Sequence, residues 1–233
     1  MKCVLVTGPV DRAAEYADAA RRAGWDAIEF PLLRVRAREL ACSAVELAAC
    51  ELDCVTSSNA LPALARAREL APGARPFVVV GAATRDRARE LGFAPVAVAA
   101  DAHDLANRVL ALAPRPKRVF WPRGDQSDEF ARALRANGVQ VLDPIVYATE
   151  RVAHQAPPPP ADVVFFASPS AVRAWCELSG ATRHSARVAI AIGGTTHDAL
   201  RGATGAAFSA ILSLPEPGSR AFERELAHLT TPP

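Results

Sequence analysis

The sequence predicts an α/β fold built on parallel sheets, and three observations carry that prediction. Short runs rich in valine, isoleucine and phenylalanine alternate with alanine- and arginine-rich stretches of helical period. The short runs are apolar at nearly every residue, as strands covered on both faces must be; a half-exposed strand would alternate. Segments of the first half of the chain also recur in the second, in the same order and at nearly one offset.

The elements follow in order. Residues 4–7 read as a strand, followed by a helix over 11–23 that stops at Gly24. A second strand spans 27–30 and ends at Pro31. Further strands are expected at 54–56, 77–80, 95–99, 118–121, 139–142, 163–166, 188–192 and 207–212. Helices are expected near 39–51, 59–70, 84–91, 102–112, 125–137, 170–178, 196–202 and 219–229.

A length of 233 residues falls between one domain and two. The repeat decides between them. Asp53 to Leu61 (DCVTSSNAL) reappears as Val164 to Val172 (VFFASPSAV), and Val80 to Thr84 (VGAAT) as Ile192 to Thr196 (IGGTT). Gly24 pairs with Gly138 and Pro31 with Pro144, so all four matches lie 111 to 114 residues apart. Two similar units of about a hundred residues each result, a comfortable domain size. The run Pro157 to Pro160 suits neither helix nor central strand and marks a surface linker.

Composition narrows the function classes. Half the residues are hydrophobic and 22% charged, which excludes intrinsic disorder. The balance of 27 basic to 25 acidic residues, net +2, is too even for gripping nucleic acid by bulk charge. The basic residues are almost all arginine, as a high-GC genome would produce. No apolar run approaches the ~18 residues of a membrane span, and the apolar start of the chain is too short for an export signal. A cytoplasmic protein is expected. Five cysteines, an odd number, argue against a disulfide framework. Cys50 and Cys54, with Cys42 nearby, lack metal-site spacing and read as buried small hydrophobes.

Chemistry is expected at the strand ends. Five strands lead into small hydroxyl, amide or glycine residues before a helix. These turns are Thr7-Gly8, Thr56-Ser57-Ser58-Asn59, Gly81-Ala82-Ala83-Thr84, Ser168-Pro169-Ser170 and Gly193-Gly194-Thr195-Thr196. In a parallel sheet they gather at the carboxyl edge, where open α/β folds bind ligands. Free backbone N–H groups and the helix dipole favour an anion there. Ordinary helix capping is the better account of any single turn. Five of them, on both units, point to a multiply anionic ligand.

Other signatures are missing. There is no GxGxxG after a strand, no Walker loop and no GxSxG elbow. His103, His154, His184, His197 and His228 show no zinc-type pairing, although His197 stands near a helix start. Arg123-Gly124-Asp125 reads either as a cation beside a helix start or as a simple surface turn. The chain has two tyrosines. Tyr16 lies in the first helix and suits packing. Tyr147, after Pro144-Ile145-Val146 and at the junction of the units, suits either packing or catalysis. A phenol there can donate to a leaving oxygen and stabilise nearby positive charge through its ring.

Taken together, these residues resemble the uroporphyrinogen-III synthase family. The resemblance rests on Val6-Thr7-Gly8-Pro9, Val55-Thr56-Ser57-Ser58-Asn59-Ala60-Leu61 and Gly81-Ala82-Ala83-Thr84 in the first half. It continues through Tyr147-Ala148-Thr149, Phe166-Ala167-Ser168-Pro169-Ser170-Ala171-Val172 and Gly193-Gly194-Thr195-Thr196. Three positions depart from the family pattern: Gly8 replaces a frequent arginine, Ala167 a threonine and Val55 an aromatic.

The resemblance implies two similar, flavodoxin-like parallel-sheet domains joined by two extended connectors, with a cleft between them. One domain would combine residues 1–34 and 153–233 and the other span 38–147, with connectors near 32–38 and 147–156. It implies a cyclising hydro-lyase that closes hydroxymethylbilane to uroporphyrinogen III, inverting the terminal ring, in heme biosynthesis. Neither cofactor nor metal would be needed. Tyr147 would be the catalytic residue. Thr7, Ser57, Ser58, Asn59, Gly81, Thr84, Arg123, Ser168, Ser170, Gly193, Thr195 and Thr196 would bind the substrate's carboxylates. The expected protein is a monomer acting on a small tetrapyrrole, not on nucleic acid or membranes. A non-catalytic two-lobed module for a tetrapyrrole or other polyanion is the alternative, favoured by the departures at Gly8 and Ala167.

Overall fold

The computed structural model describes residues 2–178, 186–203 and 208–230. His184 and the start of the strand expected at 207–212 lie outside the described residues. The chain divides into two compact units, one of Met1–Val35 with Glu150–Pro233 and one of Arg36–Thr149.

In chain order the elements begin with β1 (Cys3–Val6), α1 (Val10–Arg22), β2 (Asp26–Glu29) and β3 (Leu33–Ala37). Next come α2 (Ala44–Ala48), β4 (Leu52–Val55), a 3₁₀ turn (Ser58–Ala60), α3 (Leu61–Leu70), β5 (Phe77–Val80) and α4 (Ala82–Glu90). They continue with β6 (Ala97–Ala99), α5 (Ala102–Leu110), β7 (Arg118–Phe120), β8 (Arg123–Gly124), α6 (Glu129–Ala136), β9 (Gln140–Leu142) and β10 (Ile145–Arg151). The last are β11 (Val163–Phe166), α7 (Pro169–Cys176), β12 (Val188–Ala191), α8 (Gly194–Gly202), β13 (Ala210–Ser213) and α9 (Ser219–Thr230).

Each unit holds one five-stranded, all-parallel sheet. The orders are β13-β12-β11-β1-β2 and β6-β5-β4-β7-β9. Counted along the chain, the first sheet runs 2-1-3-4-5, the order of flavodoxin-type folds. The second has the same arrangement, entered at a different strand. β4, β5 and β6 occupy the places of β11, β12 and β13, while β7 and β9 occupy those of β1 and β2. These are the segments that the sequence repeat pairs. Gly24 and Gly138, which follow α1 and α6, even share φ values of +80° and +79°.

Helices cover both faces of each sheet, which explains the unbroken apolar strands. In β1, Leu5 packs with Val172, Trp175 and Leu200 on one face, while Val4 and Val6 pack with Tyr16, Phe222 and Leu226 on the other. In β4, Val55 joins Leu61 and Leu64, and Cys54 joins Leu105 and Phe130. Each fully buried large apolar side chain contributes about 1.5–3 kcal/mol. Asp53 is the exception on β4. Its carboxylate is fully buried and receives the guanidinium of Arg68 at 3.0 Å and of Arg75 at 2.9 Å.

Cys50 and Cys54 are buried, as expected, and all five cysteines are free. Burial pushes the Cys50 thiol up to about 11 and that of Cys54 well above its ordinary value. Among the described residues no cluster of His, Cys, Asp and Glu could hold a metal, and no helix is long and apolar enough to cross a membrane.

Several boundaries differ from the sequence reading, for local physical reasons. The helix expected over 39–51 is only α2, because Ser43 and Glu46 form a reciprocal capping box that starts it late. The helix expected from 125 begins at Glu129. Residues before it are held otherwise: Arg123–Gly124 forms strand β8, and the Asp125 carboxylate accepts from the Thr149 N–H at 3.2 Å. Tyr147 lies inside a strand, β10, rather than after one. A third, three-stranded ladder has the order β3-β10-β8.

Candidate functional site

In each unit the strand order reverses beside the first strand of the repeat, between β4 and β7 and between β11 and β1. Open α/β sheets bind ligands at the carboxyl ends of strands near such a switch point. A side-chain hydrogen bond closes each one. In the second unit the Trp121 indole N–H donates to the Thr56 hydroxyl at 3.1 Å. In the first, the Thr7 hydroxyl and backbone N–H both donate to the Phe165 carbonyl, at 2.7 and 3.1 Å. Thr7 is fully buried, so its donors serve the fold.

The remaining turns fall into two kinds. After β4 and β11, a serine caps the helix it precedes. The Ser57 hydroxyl accepts from the Asn59 N–H at 3.3 Å, and the Ser168 hydroxyl accepts from the Ala171 N–H at 3.1 Å. Ser58 is half-buried, Asn59 is exposed, and Ser170 accepts from Arg173 at 2.9 Å. After β5 and β12, the helix opens on a glycine and no side chain caps it. Gly81 has φ +78°, a left-handed conformation that a side chain would strain. First-turn N–H groups left uncapped at the positive end of a helix can receive an anion.

α4 and α8 both start two residues before the positions that the pattern suggested. Thr84 and Thr196 are therefore each the third residue of their helix, and both are buried. Thr195 is exposed. The Arg123 guanidinium faces inward. It donates to Asp143 at 3.0 Å and to the Gly124 carbonyl at 3.1 Å, and lies 5.7 Å from the Trp121 ring centre.

Tyr147 is half-buried against the core that includes Leu61 and Val146, and β10 pairs it with Gly124 in register. The 3₁₀ turn at Ser58–Ala60 packs against both α4 and β8. The second unit thus collects the Thr56–Asn59 turn, the Gly81 helix start and the Tyr147–Gly124 pair at its carboxyl edge. The first unit collects Thr7–Gly8, Ser168–Ser170 and Gly193–Thr196 at its own. Tyr16 is a packing residue, its ring tilted against that of Phe165 with centroids 4.6 Å apart. His197 is partly exposed in α8, and His154 stacks on Phe30 while its Nε2 lies 2.8 Å from the Pro31 carbonyl.

Two contributors escaped the sequence reading: Gly124 and Trp121. Their partners, Tyr147 and Thr56, are distant in the chain, and only strand pairing brings them close. A cavity of about 700 Å³ in the second unit does not coincide with these turns. It is lined by Leu52, Pro76, Val96 and Pro116, which lie at or just before the amino ends of β4 to β7, the opposite edge of the sheet.

Comparison with known proteins agrees with this architecture. A mutant uroporphyrinogen III synthase from the extreme thermophile Thermus thermophilus aligns over 99% of this chain and 100% of its own, with TM-score 0.67 and 18% identity. The wild-type protein of that organism, in another crystal form, gives 0.53 and 18% over 99% and 100%. The uroporphyrinogen-III synthetase of Helicobacter pylori gives 0.63 and 16% over 98% and 100%. At such identities the likeness shows the fold. No curated protein sequence matches the chain. The sequence profile of uroporphyrinogen-III synthase HemD, however, matches residues 14–207, well over half the chain. The chain therefore belongs to the uroporphyrinogen-III synthase family.

Proposed function

We infer that this chain is a uroporphyrinogen-III synthase: it closes hydroxymethylbilane, a linear tetrapyrrole, to uroporphyrinogen III with inversion of the terminal ring, in heme biosynthesis. The family match over residues 14–207, which takes in Tyr147 and every strand-end turn except Thr7-Gly8, is the observation that supports the reading. In class terms it is a cyclising hydro-lyase. The reaction is redox-neutral. The terminal hydroxyl leaves as water, taking up a proton while a pyrrole N–H gives one up, and the resulting azafulvene is the electrophile. Attack through a spiro intermediate inverts the last ring before closure.

Tyr147 is placed in this scheme as the donor to the departing hydroxyl, its ring face stabilising the positive charge that develops. The uncapped helix starts at Gly81–Thr84 and Gly193–Thr196 are read as the main carboxylate grips, since their first-turn N–H groups carry no capping side chain. Ser57, Ser58, Asn59, Ser168 and Ser170 would add hydroxyl and amide contacts beside them. Thr7 and Arg123, whose donors are engaged inside the fold, would hold the turns in place. The reading carries with it a cytoplasmic monomer acting on a small molecule.

The isomer assay tests this directly. Bilane generated in situ closes by itself to the type I isomer. Addition of this protein should yield type III; type I alone would refute the assignment, and tight binding with an unchanged isomer ratio would instead mark a binding module.

A further inference from the structure

We propose that Gly124 is a positioning residue for the Tyr147 phenol: its bare backbone, braced by Arg123 and Asp125, is the shelf that sets where the hydroxyl lies. The inference rests on the catalytic reading of Tyr147 and adds what fixes that side chain. Gly124 is buried, and its strand β8 pairs with β10 so that Gly124 and Tyr147 are direct partners. The ladder is irregular between Ile145 and Tyr147, the place where the ring turns over its neighbour. A Cβ built on Gly124 would stand 2.5 Å from Cε2 of Tyr147, 2.6 Å from Cζ and 2.9 Å from the hydroxyl oxygen. All three distances are well inside van der Waals contact, and all three involve the reactive end of the ring.

Backbone conformation is not the reason for glycine here. Gly124 is not among the residues with positive φ, so an alanine could adopt its backbone without strain. The three heavy atoms nearest that Cβ all belong to the phenol. Only glycine lets the end of the ring lie directly on the neighbouring strand.

The shelf itself is held on both sides. The Arg123 N–H donates to the Pro144 carbonyl at 3.0 Å, and its guanidinium donates to the Asp143 carboxylate at 3.0 Å and to the Gly124 carbonyl at 3.1 Å. Arg135 grips the other oxygen of Asp143. On the far side, the Asp125 carboxylate accepts from the Thr149 N–H at 3.2 Å, tying β8 to β10 beyond the ring. A strand of two residues would be a poor reference point without such anchors. With them, Gly124 cannot retreat, so a methyl group there must displace the phenol.

Gly124→Ala tests the proposal with two readouts. The chain has two tyrosines, so ring-labelled tyrosine gives two NMR signals that Tyr147→Phe assigns. Gly124→Ala should move the Tyr147 signal and leave that of Tyr16 in place. It should also lower kcat for type III closure by about tenfold at nearly unchanged KM, since a misplacement near 1 Å can cost up to about a hundredfold. An unmoved Tyr147 signal in folded protein overturns the proposal. So does a moved signal with a full rate, if Tyr147→Phe itself slows the reaction. If Tyr147→Phe leaves the rate unchanged, the catalytic reading of Tyr147 fails, and the ring signal alone then decides whether Gly124 positions it. Should Gly124→Ala not fold, Asp143→Asn loosens the brace instead: it should shift or broaden the Tyr147 signal, and an unaltered signal counts against the proposal.

Discussion

Gly8 and Ala167 face each other at the switch point of the first unit, where a Cβ on Gly8 would stand 3.5 Å from that of Ala167. They are two of the three positions at which the resemblance implied a departure from the family pattern, and the structure makes them neighbours. The arginine and threonine that the resemblance led one to expect would both stand at this spot, immediately beyond β1 and β11.

That spacing is ordinary van der Waals contact, and Gly8 is not among the residues with positive φ. Gly8→Arg should therefore fold with little change in Tm. If this strand end meets substrate, a restored charged hydrogen bond, worth about 1.5–3 kcal/mol, lowers KM for the bilane by roughly tenfold or more. An unchanged KM in the coupled assay would remove the first strand end from the binding surface.

Tyr147→Phe removes the phenol hydroxyl and keeps the ring against its apolar neighbours. Because the residue is only half-buried, the melting temperature should stay near that of the parent. The rate of type III formation should fall about a hundredfold, the low end of what a positioned proton donor contributes. Equal rates in a single-turnover assay would return Tyr147 to a packing role.

Asp53→Asn separates stability from activity. The carboxylate is fully buried between Arg68 and Arg75, and the Arg75 side chain is itself only 9% exposed. Removing one partner of a buried pair leaves the other charge uncompensated, at about 3–5 kcal/mol. Urea unfolding should show that loss, while the rate per folded molecule holds, since the further hydrogen bonds of the two arginines go to the Arg75 and Ala71 carbonyls, outside the strand-end turns. A midpoint equal to that of the parent would contradict the account.

The thiols give a pH dependence. Burial raises Cys50 to about 11 and Cys54 well above its ordinary value, so the folded state holds both protons more tightly than the unfolded chain does. The Cys50 contribution is fully present below the ordinary thiol value near 9 and is lost as pH rises through about 11, and that of Cys54 is lost in the same direction. Stability should fall across that window. At pH 8 an alkylating reagent should modify exposed Cys176 first, then half-buried Cys3 and Cys42, and reach Cys50 and Cys54 only on unfolding. Early labelling of Cys54, read by peptide mass, would refute this.

Local pattern was sufficient for the fold class. Alternate residues of each strand face different helix layers, as Leu5 and Val6 do, so both faces must be apolar and the class is written into short runs. The repeat exposed the common plan of the two units for a similar reason: each strand–turn–helix is a local construction, and its residues travel together. The turns at Ser57, Gly81, Ser168 and Gly193 were legible as turns, because serine caps and a left-handed glycine declare themselves locally. Their role toward a ligand was not, since capping and binding use the same residue types.

Tertiary contacts decided the rest. Strand order, the inward turn of Arg123 toward Asp143, the hydrogen bond from Trp121 to Thr56 and the place of Gly124 beneath Tyr147 all join residues far apart in the chain. No periodicity encodes such pairs. Arg123-Gly124-Asp125 could be read as a turn because nothing within it reveals that β10 lies alongside, and it is that neighbour, through pairing and the bulk of one ring, that makes its glycine necessary.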